Sequence, residues 1–340
     1  MNETIKIKNG FDLFEKIVSY LPLLVIFLAL TGNTICFITF RFCKQFNRMP
    51  IMVYLSFIAI LDTSSLFVWN LNHFLTPNFN ILIEKINVFS CKFFSFLQYF
   101  SLQASANILS LMCIDRYITI SSTPGSIYSK LPFGTIKSSA IWCCTVIFII
   151  FILNFHLLIF NSLKDTNDFK NLTFSLLING TVRIPVVYKD DYKECYWYTT
   201  EWRIIPLWDR LNLVIYNFFP FITMLLFDSL LVVKTLRQSK SMRHLKNQQE
   251  IKNFVRKRKL TISILSITFL FIIMTMPSSI VFGFYHGNII KLKYGSRILN
   301  IFDFVSFLFH SSLFFDCFVT NAKFRRFFMK RIVKFLSRNH

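Results

Sequence analysis

Seven apolar runs punctuate the chain, at about 18–40, 51–75, 88–114, 138–160, 211–233, 260–285 and 298–319. Each is near the ~20 residues that a membrane-spanning helix requires. They predict an all-α membrane protein, a seven-transmembrane helix bundle over 18–319 that follows an N-terminal segment, 1–17. Polar connections are short except at 161–206 and 234–259. In the longer of these, Gly180, Pro185 and the alternating Val182, Ile184 and Val186 predict a β-hairpin over the mouth of the bundle. Pro220 and Pro277 sit inside the fifth and sixth runs, where each removes a backbone hydrogen bond and predicts a kink. Beyond Asn321, residues Phe324, Phe327, Phe328, Ile332, Phe335 and Leu336 share one helical face opposite Lys323, Arg326, Lys330 and Lys334. That pattern predicts a short amphipathic C-terminal helix in 320–340, lying on membrane lipid. No cysteine follows Cys317 to carry a palmitoyl chain, so its phenylalanines are expected to hold it there.

Composition agrees with this class. Apolar residues are 54% of the 340 and mean hydropathy is +0.50, far above a soluble domain. The net charge of +21 would fit a nucleic-acid partner in a soluble protein, so its distribution decides. Ten Lys/Arg and one acid, Glu250, fall between Lys234 and Lys259, and seven Lys/Arg with no acid follow Asn321, whereas 163–203 is balanced at six against six. Positive charge marks one face, and the positive-inside rule makes it cytoplasmic. The expected protein is multi-pass in the plasma membrane, N-terminus extracellular and C-terminus cytoplasmic, with no nucleic acid among its partners. Met1 to Lys16 contains no apolar signal core, so the first helix is expected to serve as an uncleaved insertion signal. Acceptor patterns for glycosylation at Asn2, Asn171 and Asn179 all fall outside in this orientation.

Of eight cysteines, only Cys91 and Cys195 face the oxidising side, which makes them the expected disulfide. Twenty-five residues after Cys91 stands Arg116, within Asp115-Arg116-Tyr117, about 37 Å away along a helix. The two ends of this run therefore face opposite compartments. The aromatics around Cys195, namely Tyr196, Trp197, Tyr198 and Trp202, are suited either to a ligand or to the lipid headgroup layer. No catalytic arrangement, cofactor motif or metal site stands out.

In order and spacing, the chain resembles rhodopsin-like (class A) G-protein-coupled receptors across all seven helices. The matching residues are Gly32-Asn33, Leu55-Ser56 with Ala59 and Asp62, Cys91 with Asp115-Arg116-Tyr117, Trp142, Cys195, Pro220, Phe271, Pro277 and Phe324-Arg325. Cys91 to Ile120 is most similar to invertebrate neuropeptide receptors of the FMRFamide type. There are departures. Thr275 stands where the family has tryptophan before the sixth-helix proline, Leu313-Phe314-Phe315-Asp316-Cys317 replaces Asn-Pro-x-x-Tyr, and Asp228 replaces the fifth-helix tyrosine. They point to a divergent orphan branch.

The resemblance implies an extracellular ligand and a heterotrimeric G protein as partners. It places Gln98, Tyr99, Leu102, Phe282 and Asp303 around the ligand, with Trp197 above. Amine receptors carry an aspartate at Gln98, so a neutral amide there favours a peptide, or else turns toward a neighbouring helix. Asp303 is expected to meet a cation, either Arg297 or a basic group of the ligand. Asn33, Asp62, Ser105 and His310 form a polar core in which an Asp62–His310 contact is preferred to a bound sodium ion. Arg116, paired with Asp115, would face the G protein. Asp228 is expected to pair with Arg116 and so favour the active arrangement, or else with Lys234 or a basic residue of the third loop. No lysine lies between Ile298 and Ala322, which excludes an opsin. A non-signalling decoy is the nearest alternative. A transporter or channel would show internal repeats or a continuous polar path, and neither is present.

Overall fold

The computed structural model describes residues 13–122, 125–165, 193–197, 211–242 and 248–337. The glycosylation sites Asn2, Asn171 and Asn179, the 182–186 strand, Tyr198 and Trp202, and the side chains of Tyr196 and Trp197 lie outside them. The helices are α1 (Leu13–Val18), α2 (Tyr20–Phe42), α3 (Pro50–Phe79), α4 (Val88–Ser121), α5 (Ile136–Phe160), α6 (Phe219–Met242), α7 (Gln248–Ile280), α8 (His286–Ile289), α9 (Gly295–Phe309), α10 (Leu313–Thr320) and α11 (Ala322–Leu336). Five stretches, Lys16–Phe42, Pro50–Phe79, Ile136–Phe160, Leu211–Gln238 and Arg258–Ile289, are long and apolar enough to cross a membrane. A sixth is the pair α9 and α10, bent by 53°. These are the helices of a multi-pass membrane protein.

The 88–114 run is helical but less apolar than those six stretches. At 34 residues α4 has ample length to cross. Its buried positions include Ser101, Gln103, Ser105, Ser110, Asp115 and Arg116, which lower its hydropathy. Those side chains are buried because α4 packs against α3, α5, α6 and α7. A helix covered by others has less need of an apolar surface. Its start is fixed locally: Asn87 accepts from the Ser90 amide at 2.7 Å while the Ser90 hydroxyl accepts from the Asn87 amide at 2.9 Å. Thr135 and Ser138 build the same reciprocal cap on α5.

The two prolines expected to kink their helices sit in different surroundings. Pro220 cannot donate to the carbonyl of Tyr216, and the chain there widens into a π turn, Val214–Phe218. Pro277 lies within α7, which is followed by a second π turn, Val281–Tyr285. The sharp break between α9 and α10 has no proline at all. Ser311 and Ser312 there donate their hydroxyls back to the carbonyls of Leu308 (2.9 Å) and Phe309 (2.7 Å), a local competition with the helix ladder that favours bending. Gly32 permits the close approach of α2 to α10, since a Cβ on it would lie 2.9 Å from Cβ of Phe314.

The long loop begins and ends in a two-stranded antiparallel sheet, β1 (Asn161–Asp165) and β2 (Lys193–Trp197), with Leu163 opposite Cys195. Cys195 is bonded to Cys91 with a Cα–Cα separation of 5.6 Å. That bond joins β2 to the first turn of α4, as expected. Replacing either cysteine with serine removes a constraint worth about 2–4 kcal/mol, so surface expression should fall. Peptide mapping without reductant checks the premise: a Cys91–Cys195 linked peptide is expected, and two free thiols would contradict it.

The C-terminal helix forms as expected, and the first part of its apolar face packs on protein. Phe324 is fully buried, with ring centroids 5.8 Å from Phe40, 6.3 Å from Phe46 and 5.8 Å from Phe314. Phe327 packs on Phe46 and Phe328 on Phe314. These three phenylalanines pack α11 against the ends of α2 and α10. Met329 and Val333 are the exposed apolar side chains described on it.

Candidate functional site

A cavity of about 570 Å³ lies among α3, α4, the two π turns, α7 and α9. Gln98, Tyr99, Leu102, Phe282 and Asp303 all line it, so five of the six residues expected around a ligand come together. Asp303 meets neutral donors where the sequence led us to expect a cation: Trp69 Nε1 donates to one oxygen at 3.1 Å and the Ser278 hydroxyl to the other at 2.8 Å. Trp69 is itself held by stacking on His73 and Phe307. The helix-bridging glutamine is Gln103. Buried one turn below, it donates to Asn212 at 2.8 Å and accepts from Asn154 at 2.7 Å, tying α4 to α5 and to the start of the fifth apolar stretch.

Beneath the cavity lies the polar core. His310 Nδ1 is 2.8 Å from Asp62 Oδ1, and the Ser105 hydroxyl donates to the same oxygen at 2.5 Å. The expected Asp62–His310 contact is therefore present. Asn33 is in the cluster by another route, donating to the His310 carbonyl at 3.0 Å, at the break after α9, and to the Thr63 hydroxyl at 3.0 Å. All of Asn33, Asp62, Ser105 and His310 are buried. Burial makes an isolated charge costly, so an acid here requires these partners.

Tyr216 joins the two regions, and sequence reading missed it. Its ring lines the cavity, and its hydroxyl is 3.1 Å from His310 Nε2. The available signal was Pro220, four residues on, which deprives the Tyr216 carbonyl of its helical donor. Below it Phe271 packs edge-on against Tyr216 and Phe309. Thr275, in the position where the resemblance calls for tryptophan, is buried and donates to the Phe271 carbonyl at 2.7 Å.

At the far end of α4, Arg116 Nη2 is 3.0 Å from Asp115 Oδ2, and both residues are buried. Asp115 also accepts from the Gly134 amide at 2.9 Å. Gly134 adopts φ of 78°, and a Cβ on it would meet the Thr119 hydroxyl at 2.9 Å, so glycine suits this contact on both counts. Arg116 Nε is buried without a hydrogen-bond partner among the described residues. Tyr117 packs edge-on against Tyr128 and Phe227.

Asp228 does not take Arg116 as its partner. Its Oδ2 accepts from the Thr268 hydroxyl of α7 at 2.6 Å, and the Cys113 thiol is its other neighbour. Another acid, the buried Asp316 of α10, accepts from Ser266 of α7 at 2.5 Å, while Ser263 and Thr320 bond at 2.7 Å. Acids from two neighbouring helices thus hold the same stretch of α7. Among the described residues, no three His, Cys, Asp or Glu side chains cluster as a metal site. A scan against protein-family models found no match for this chain, and a search of curated proteins found none.

Proposed function

We propose that the chain is a rhodopsin-like G-protein-coupled receptor, with α4 and the bent α9–α10 pair completing seven crossings and the N-terminus outside. One observation carries this reading. Gln98 in the cavity wall and Arg116 in the buried ion pair share helix α4, 18 residues and about 27 Å apart, and the hydrogen-bonded group Tyr216–His310–Asp62–Ser105 leads from the cavity to an intermediate level of that helix. A ligand that moves Tyr216 alters what His310 can bond, and His310 sits at the break between α9 and α10. Binding then becomes a shift between two helix packings. In this reading Tyr216 and His310 stand in for the absent tryptophan and Asn-Pro-x-x-Tyr segment.

The ligand best suited to the cavity is a short peptide. Gln98 offers amide hydrogen bonding, and Asp303 offers a charge for a basic group. Asp303→Asn keeps an acceptor and a donor for Trp69 and Ser278 while removing that charge. A basic peptide should then lose roughly tenfold or more in affinity, about 1.4 kcal/mol, while its neutral analogue changes little. Competition binding with the two peptides is the check, and equal losses would remove Asp303 as the cation's partner.

Opening the cytoplasmic end for a G protein requires α7 to leave its neighbours, so the acids that hold it favour the closed packing. Asp316→Asn weakens the charge-assisted bond to Ser266 by about 1 kcal/mol, roughly fivefold in population. Basal G-protein activity at matched surface expression should rise. An unchanged or lower basal level would deny Asp316 this restraint.

The function itself is tested by challenging cells that express the chain with a library of short peptides while monitoring G-protein activation. Activation by specific peptides is expected. Saturable peptide binding with no activation would select the decoy reading.

A further inference from the structure

A second cavity, about 680 Å³, opens between α6 and α7, separate from the one lined by Gln98. Its walls are apolar and outward-facing, with Leu225, Val233 and Phe269 exposed by 54%, 47% and 62%. The same groove is lined by Asp228, Ser229 and Thr268. Both helices belong to stretches apolar enough to cross a membrane, so these walls face hydrocarbon and an entrant arrives from the bilayer. Such an entrant needs an apolar body. At Asp228, Oδ2 accepts from Thr268 and the Cys113 thiol lies beside the carboxylate, so the acid is held by neutral donors. A carboxylate held only by neutral donors at the wall of an apolar groove would gain most from a positively charged one.

We propose that this groove binds a membrane-dissolved amphiphilic amine, its alkyl chain along Leu225, Val233 and Phe269 and its ammonium against Asp228. Depth limits the headgroup. Asp228 lies six residues, about 9 Å along the helix, inward of Lys234, where the basic cytoplasmic segment begins. A bulky phospholipid headgroup stays at the interface, whereas a single ammonium on a slender chain can reach the acid. The ammonium also competes with Thr268 for the carboxylate, so occupancy loosens a contact between α6 and α7. The site requires only that α6 and α7 lie in a membrane, and it stands whether or not the receptor reading does.

The test uses the full chain in nanodiscs of phosphatidylcholine, photolabelled with a diazirine-bearing alkyl amine or with the matching alkyl alcohol. The labelled residues are then mapped by peptide sequencing. The amine is expected to label 225–233 and 262–272 at least roughly fivefold more than the alcohol does, in competition with unlabelled amine. Asp228→Asn should abolish that preference. Ser229→Phe, which narrows the groove from an exposed position and leaves the acid intact, should lower amine labelling and provides a second reading if Asp228→Asn does not fold. Equal labelling by amine and alcohol in the native chain, or an amine preference that survives both substitutions, would reduce the groove to ordinary lipid contact and overturn the proposal.

Discussion

His310→Ala should destabilise the protein by about 3–5 kcal/mol, because it leaves Asp62 buried with its principal partner removed. Three contacts depend on that one ring. Nδ1 meets Asp62 at 2.8 Å, Nε2 meets the Tyr216 hydroxyl at 3.1 Å, and the ring packs edge-on against Phe309 at 5.1 Å between centroids. Among the described residues Ser105 remains to hydrogen-bond the carboxylate, and one neutral hydroxyl does not replace an imidazole that is fixed by bonds on both nitrogens. Asp62→Asn combined with His310→Ala should recover a substantial part of the loss, since no carboxylate is then stranded. Denaturant titration in detergent across the four-member cycle measures this coupling. If the single and double replacements cost the same as independent changes, the pair does not act as a unit. The same His310→Ala protein should bind ligand weakly and activate little, because Tyr216 loses its link to the core.

Arg116→Ala should abolish G-protein activation and leave ligand affinity within a few-fold of native. The arginine is held by Asp115, which is held in turn by the Gly134 amide, so the guanidinium is positioned before any partner arrives. Its Nε, buried and unpartnered among the described residues, becomes a donor for an acceptor on that partner only once the helices part. The ligand cavity lies about 27 Å away along α4, too far for the truncation to alter its wall directly. Removing Arg116 also strands buried Asp115, so expression should be matched before the comparison is made. Arg116→Lys separates charge from geometry. A lysine keeps the charge and loses the forked donor set, so partial activity is expected.

What was legible in the sequence depended on whether one residue dictated the answer. The spans follow from apolar run length, and all seven expected runs are helical, although α4 is too polar to rank with the others by composition. The Asp62–His310 contact was readable because an acid in a membrane helix demands a partner and few side chains in reach can provide one. Asp228 was expected to reach Arg116 in an active arrangement, or else a nearby base, and here it accepts from Thr268, a neutral hydroxyl. Hydroxyls are too common in these helices to single out beforehand, and Ser266 beneath Asp316 escaped notice for the same reason. Tyr216 owes its position to a π turn, which shifts the helical register and defeats counting by 3.6. The amphipathic face of α11 was read correctly as a face, but periodicity says only that Phe324 is covered, not that Phe40 and Phe314 cover it.

Receptor function is tested most directly by guanine-nucleotide exchange on purified heterotrimeric G proteins, with the native chain and Arg116→Ala reconstituted side by side in nanodiscs. The peptides that score in the cellular screen serve as ligands. The account predicts peptide-dependent exchange with the native chain on at least one G-protein subtype, and none with Arg116→Ala despite retained peptide binding. Equal exchange by the two proteins, or none by native protein that demonstrably binds peptide, would contradict it.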